Sequence, residues 1–280
     1  MKKIIWISSY PKSGNTWVRF FLANYFYNAR KKNIGFSLLK NIDKFPQQKY
    51  LQSIADSYKL SKNPYSVSDY WLKIQTKITS TNENFVFLKN HNALVEIEGK
   101  EFTNERFSLG IIYIVRDPRD ILLSYLNFDR NLSASEVYNR LVNKNLYCHV
   151  SRKNPFDIEI LGSWKFNYNS WRDGCKAIPR LIIKYEDLIT NTYNTKLQML
   201  NFLSKIINFK INYDQLNFAI EQSKFNNLVA LEKNHGFDES KNTFFNTGKS
   251  GNWKSKDEYK NFYEEIYKFA EYDMKELGYK

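Results

Sequence analysis

SYPKSGNTW, residues 9–17, follows a short apolar run, Ile4-Ile5-Trp6-Ile7, and leads into the helical pattern WVRFFLANYFY. A strand, a tight turn and a helix in this order make a site for an anion. The first backbone N–H groups of a helix have no partner within it, and the helix dipole favours negative charge there. Gly14 relaxes the turn, Ser13, Asn15 and Thr16 offer hydroxyl or amide groups, and Lys12 adds a full positive charge. An ATP-binding loop reads G-x-x-x-x-G-K-[ST], and the spacing here is different. The plain alternative is an ordinary strand–turn–helix with Asn15 or Thr16 as N-cap.

Three further runs read like the one before this turn: FVFLK (85–89), GIIYIV (110–115) and RLIIKY (180–185). All four, with KIIWIS (3–8), are β-branched or aromatic, nearly continuously apolar and bounded by polar turns, the pattern of buried parallel strands. Helical patterns follow at 16–30, 118–128 and 192–207, with Asp187 and Asn191 as caps. Strand, turn and helix in repetition predict an α/β fold, a central parallel sheet flanked by helices. Ligands of such sheets sit at the carboxyl ends of the strands. SYPKSGNTW, KNH (89–91) and RDPRD (116–120) all begin at such ends, so one ligand touching all three is expected. The stretches 31–84 and 129–160 are helical or loop excursions. No internal repeat and no linker divides the 280 residues, which predicts a single domain.

In RDPRDILLSY, Arg116 ends a strand and Asp117-Pro118 opens a helix, with Pro118 at a tolerated first-turn position. Ser124 lies about two turns into that helix, so it shares a ligand with Arg116 only if the guanidinium reaches along the helix. On spacing alone a salt bridge from Arg116 to Asp117 or Asp120 is the better reading. His91 is one of only three histidines. Its place directly after a buried strand, two residues beyond Lys89, leaves a satisfied histidine and a catalytic base equally open; His149 and His235 lack such a setting. TGKSGNWKS (247–255) is either a concave nest of N–H groups for an anion or, the better reading in isolation, a solvated loop.

The formal charge of +13 admits nucleic acid, an acidic membrane surface or an anionic small molecule as partner. Lys far outnumbers Arg, whereas specific phosphate readers lean on Arg, so basicity alone decides nothing. The apolar run at the N-terminus is too short for a signal peptide and is cut by Pro11 and Lys12. No window approaches the roughly 18 apolar residues of a membrane span. Cys148 and Cys175 lack metal-ligand spacing and read as free thiols in a reducing cytosol. A cytoplasmic protein is expected.

Taken together, these segments resemble the PAPS-dependent sulfotransferases of the cytosolic type, by motif and order over nearly the whole chain. YPKSGNTW (10–17) is similar to the family's loop for the 5′-phosphosulfate, usually YPKSGTTW. IIYIVRDPRDILLSY (111–125) resembles its 3′-phosphate segment, KNH (89–91) stands where the family has a Lys and a catalytic His, KYEDL (184–188) matches a stretch whose Tyr contacts the nucleotide, and GKSGNWK (248–254) matches G-x-x-G-x-x-K. The resemblance implies a P-loop-NTPase-like sulfotransferase fold and transfer of a sulfuryl group from PAPS (3′-phosphoadenosine 5′-phosphosulfate) to a hydroxyl or amine, with PAP as product and no metal. Such in-line displacement is catalysed largely by positioning and electrostatics. By the same resemblance His91 is the general base, Lys12 stabilises the bridging oxygen, and Lys89 supports the transferring group. Arg116 and Ser124 hold the 3′-phosphate, and Ser124 also restrains Lys12. Ser13, Gly14, Asn15, Thr16, Tyr185, Gly248 and Lys249 complete the nucleotide site, with Trp17 and Phe225 flanking the adenine.

The chain departs from that pattern where the family often has Arg-Lys-Gly and this sequence has Asn246-Thr247-Gly248, leaving Lys249 or Lys254 to substitute. The family's dimerisation stretch has no counterpart in the helix at 256–277. Acceptor loops at 31–84, 129–160 and 231–247 are rich in Tyr, Phe and Asn, which suits a small phenol or apolar alcohol, with a sugar or peptide-derived acceptor left open. The rival readings are a P-loop-type kinase, which predicts ATP and Mg²⁺ dependence, and a non-enzymatic PAP- or nucleic-acid-binding protein, which predicts salt-sensitive retention on DNA or RNA. No recognised nucleic-acid module is visible, so no nucleic-acid partner is expected.

Overall fold

Five strands build the central sheet of the computed structural model: β1 (Ile4–Ser9), β2 (Asp43–Lys44), β3 (Val86–Asn90), β4 (Ser108–Val115) and β5 (Arg180–Lys184), in the order β2-β3-β1-β4-β5. The structure describes residues 3–28, 35–81, 83–143, 145, 148–150, 156–237, 243–245 and 247–280, with backbone alone at 148–150. All four strands expected from the apolar runs are present, and β1 is buried along its whole length, as continuous apolar runs in parallel sheets require. β3 pairs in parallel with β1, Ile4 opposite Val86 through Ser8 opposite Asn90. β2 pairs in parallel with the other edge of β3, placing Lys44 opposite Lys89. At two residues, Asp and Lys, β2 carries no apolar signal and was not expected.

The chain forms two compact units, the first from Met1–Tyr10, Ile42–Tyr113 and Asn143–Ile182, the second from Pro11–Asn41, Ile114–Val142 and Ile183–Lys280. In the first, Trp6 of β1 meets Phe45 and Phe102 at ring centroids 5.1 and 5.2 Å apart, and Phe102 meets Trp71 and Trp171 at 5.2 and 5.8 Å. The last two rings come from the helices Trp71–Thr79 and Trp164–Asp173, so aromatic packing fastens these helices to the sheet. Each such pair adds about 1 kcal/mol beyond the area it buries. The Trp6 indole N–H is satisfied by the Ser108 hydroxyl at 2.8 Å, as a buried polar atom must be. The excursion 129–160 contains the helix Ala134–Val142, which belongs to the second unit, and the hairpin Cys148–Val150 with Ile158–Ile160, which belongs to the first.

The second unit is helical. Its helix Asn15–Tyr27 is buried from Asn15 to Tyr25, which explains why WVRFFLANYFY is apolar nearly all round. Buried polar groups along that helix find partners: Arg19 donates to the Leu39 carbonyl, and the Asn24 carbonyl accepts from Gln215 at 2.7 Å. The helix Pro118–Phe128 starts as expected, with the Asp117 side chain accepting from the Arg119 N–H.

Two expected caps are corrected. The N-cap of the first helix is Gly14, at φ 95° in the left-handed region, rather than Asn15 or Thr16. Asp187 lies inside the first turn of the helix Tyr185–Thr190 and caps nothing, while Asn191 stands at the N-cap of Thr192–Ile207 without a side-chain cap bond.

Candidate active site

The turn after β1 owes its shape to Gly14. A Cβ at this position would lie 2.6 Å from the Tyr185 ring, and the positive φ excludes other residues at low cost. Lys12 also takes a positive φ, 66°. The Ser13 hydroxyl between them is fully buried and meets no hydrogen-bond partner among the described residues. A buried hydroxyl left so costs free energy, and its place in front of a helix N-terminus is where an anion's oxygen would satisfy it. Asn15 and Thr16 are the first two residues of the helix, both buried.

Arg116 joins the segments of the second unit. Its guanidinium donates to the Lys12 carbonyl at 2.9 Å and to the Lys249 carbonyl at 3.5 Å, and lies 4.2 Å over the Tyr185 ring. An ion pair of the RDPRD motif is Arg119 with Asp117, Nη2 to Oδ2 at 2.7 Å, while the Arg116 charge acts on Asp120. Asp120 accepts from the Gly251 N–H at 2.6 Å and the Trp253 N–H at 3.2 Å. Of the two readings of TGKSGNWKS, a solvated loop or a nest of N–H groups for an anion, neither describes these two amides, which bind the protein's own carboxylate. Burial pushes the Asp120 carboxyl up, and the nearby Arg116 charge opposes that shift. Gly248, at φ 58°, rests against the Phe225 ring, where a Cβ would come within 2.5 Å. Lys249 is exposed and Ser124 is half-buried on its helix. Asn246 lies outside the described residues.

The Lys12 amine sits 3.8 Å from the Phe128 ring centroid and 4.2 Å from that of Phe244. Each face contributes cation–π attraction of about 1 kcal/mol. Trp17 is buried, its indole N–H donating to the Ser223 carbonyl at 2.6 Å. It meets Tyr185 and Phe225 edge to face, each at 6.0 Å between centroids and 68° between planes. Trp17 and Phe225 thus pack on each other instead of standing apart with parallel faces.

The second cluster lies in the first unit and centres on His91. Its Nδ1 is 2.8 Å from the Ser9 carbonyl oxygen. A carbonyl only accepts, so Nδ1 carries the proton and Nε2 keeps its lone pair. The surrounding protein pushes the imidazole down to about 3, chiefly by burial and then by the Lys89 charge, with Glu159 opposing. The ring is neutral at any ordinary pH. Asparagines hold the loop in place. Asn167 donates to the His91 carbonyl at 2.9 Å and accepts from the Tyr113 hydroxyl at 2.8 Å. The Asn92 side chain accepts from the Ile160 N–H at 2.8 Å, and the Asn92 carbonyl accepts the Trp171 indole N–H at 2.8 Å. Lys44 of β2 forms ion pairs with Asp157 and, at 3.2 Å, Glu159.

None of Asn92, Asn167, Trp171, Glu159 or Asp120 stood out in the sequence as a site residue, and only Asp120 lay within a recognisable motif. His235 ends the helix Phe225–His235, and Cys175 is half-buried in a turn. The side chains of Cys148 and His149 lie outside the described residues.

Comparison with known proteins gives this geometry its family. The family described as Sulfotransferase domain matches residues 2–278. The rabbit (Oryctolagus cuniculus) amine sulfotransferase is 22% identical over 89% of this chain and 74% of its own. The flavonol 3-sulfotransferase of Flaveria bidentis is 24% identical over 90% and 75%. Among solved structures, retinol dehydratase in complex with retinol and PAP superposes with a TM-score of 0.63 at 14% identity, covering 98% of this chain and 82% of that one. A mouse sulfotransferase complexed with PAP gives 0.53 at 15%, over 96% and 85%. These structures share the fold. With a family match that runs through both compact units, the chain belongs to the sulfotransferases.

Proposed function

We propose that this sulfotransferase moves the sulfuryl group of PAPS to a hydroxyl or amine of a small acceptor, with His91 as general base and both compact units serving one transferase domain. The observation that carries the reading is the hydrogen bond from His91 Nδ1 to the Ser9 carbonyl, which commits one ring nitrogen and leaves the other as a base. A neutral imidazole with a fixed tautomer keeps that lone pair free of a proton at working pH. Lys89, whose charge depresses the imidazole, also keeps the proton from resting there.

The second unit offers what the nucleotide needs. Its fit rests on the buried, unpartnered Ser13 hydroxyl, the helix N-terminus behind Gly14, and Arg116 drawn to both glycine turns. Ser13, Gly14, Asn15 and Thr16 would hold the 5′-phosphosulfate, Arg116 and Ser124 the 3′-phosphate, and Gly248 and Lys249 would close over it. Tyr185, Trp17 and Phe225 would meet the base, with Trp17 and Phe225 offering edges and outer faces. PAPS supplies a sulfuryl group on a phosphate leaving group. Lys12 places positive charge where that leaving oxygen becomes negative, Lys89 steadies the group in transit, and His91 Nε2 takes the acceptor's proton. Lys12 must leave the rings of Phe128 and Phe244 to do this, or act from between them.

The rabbit and Flaveria relatives are named for amines and flavonols, and we assign the acceptor to the same broad class of small hydroxyl or amine compounds. The zebrafish (Danio rerio) relative, 24% identical over 90% of this chain and 76% of its own, is named cytosolic, and we place this enzyme there too. Among the described residues no helix is long and apolar enough to cross a membrane. Incubation with ³⁵S-labelled PAPS and a panel of phenols, alcohols, sugars and amines tests the reading, with labelled product expected from at least one member. Calorimetry that finds ATP bound and PAP ignored would overturn PAPS as the donor.

A further inference from the structure

Lys196, on the helix Thr192–Ile207, is 1% exposed. Its ammonium carries three N–H donors, and one described acceptor meets them, the Ser223 hydroxyl at 2.7 Å. That hydroxyl spends its own hydrogen on the Ala219 carbonyl at 2.6 Å, so it offers Lys196 only lone pairs. Two rings also stand near the amine, Phe21 at 5.1 Å and Trp17 at 5.8 Å from the centroid. No carboxylate pairs with it among the described residues, and burial alone pushes its pKa down to about 7.

A methionine would fill the same apolar space without the cost of a buried, sparsely bonded amine. What only the lysine does is fix Ser223. The carbonyl of that same serine receives the Trp17 indole N–H at 2.6 Å, so a continuous line runs from Lys196 through Ser223 to Trp17. Trp17 in turn stands edge to face between Tyr185 and Phe225, and Phe225 carries Gly248.

We propose that Lys196 is a positioning residue for nucleobase recognition, holding Ser223 and through it the Trp17 ring against which the adenine of the nucleotide packs. The inference rests on the reading that this unit binds PAPS. Lys196 acts on the base and not on the phosphates, which the loop before Trp17 and Arg116 address. This predicts a split that loss of general packing would not produce.

The test uses the full chain and two ligands, PAP and ribose 3,5-bisphosphate, which keeps the phosphates and lacks the base. Lys196→Met should weaken PAP binding in calorimetry by about tenfold, the scale of one lost hydrogen bond, and leave the bisphosphate unchanged. Its KM for PAPS should rise while kcat holds, and its thermal midpoint should rise too, because a buried amine has gone. Ser223→Ala removes the same link from the other side and should reproduce the PAP-specific loss. The double variant should lose no more than either single one. Equal weakening of both ligands, or PAP binding that neither variant changes, would overturn the proposal. Wild-type protein that binds neither ligand would instead overturn the PAPS reading on which it stands.

Discussion

The two clusters are built from different materials. In the second unit charged groups reach for the main chain: Arg116 binds the carbonyls of Lys12 and Lys249, and Asp120 binds the amides of Gly251 and Trp253. In the first unit the histidine is held by neutral groups, the Ser9 carbonyl and the Asn167 amide. The difference follows from the tasks. A polyanion is met by positive charge and N–H groups gathered from several segments, so its contacts are many and shared. A base needs one lone pair, kept neutral, and the charges of Lys89 and Glu159 act on it in opposite directions. Damage to the His91 cluster should therefore abolish rate while sparing affinity, and damage to the Arg116 cluster should reduce affinity in steps.

His91→Ala is the sharpest way to break this contrast. Transfer should fall by about 10²–10⁴-fold, with PAP affinity within twofold of wild type by calorimetry. A variant turning over near the wild-type rate would remove His91 as base. A wild-type kcat/KM profile adds to this. With the imidazole pushed down to about 3, it stays unprotonated across the ordinary range, so no acid limb centred near pH 6.5 should appear. Such a limb would show a histidine as open to water as a free one.

Arg116→Ala comes next. It removes a charge-assisted contact and unties both turns, and PAP affinity should fall by about 10- to 100-fold, less steeply at high salt because part of the attraction is screened. An unchanged dissociation constant would detach Arg116 from the nucleotide. Gly14→Ala acts on the same turn through sterics. The positive φ and the Tyr185 ring at 2.6 Å from the new Cβ should cost roughly 2 kcal/mol or more, seen as a lower midpoint in urea with little change in slope.

Much of this arrangement was legible before the structure. The apolar runs marked four strands because a strand buried on both faces has no room for polar residues, and Asp117-Pro118 marked a helix start. What escaped has a physical reason in each case. Asp117 and Asp120 lie within one turn of Arg116 in sequence, which suggests a salt bridge, whereas the bonds from Arg116 to the carbonyls of Lys12 and Lys249 join segments more than 100 residues away that no local pattern announces. Asn167 holds the His91 carbonyl from far away in sequence, and an asparagine has no periodic signature of its own. Gly14 reads as a relaxed turn residue; it is also the N-cap, and the Tyr185 ring that leaves no room for a Cβ there comes from a segment no local pattern ties to it. Lys196 lay in a helical pattern where a lysine normally faces water.

That lysine offers the finest distinction between structure and function in the second unit. Its pKa falls from 10.5 when free to about 7 in the fold, so between those values the unfolded chain holds the proton more firmly than the native one. Stability then rises with pH across that window. Below about 7 the amine is protonated in both states and the full penalty of burying charge is present; above 10.5 it is neutral in both and the penalty is gone. Lys196→Met lacks the group altogether. The difference in unfolding free energy between variant and wild type should therefore favour the variant most at neutral pH and shrink steadily as pH climbs towards 10. A difference that stays constant over this range would show Lys196 as an ordinary exposed ammonium, and the line from it to Trp17 would lose its buried anchor.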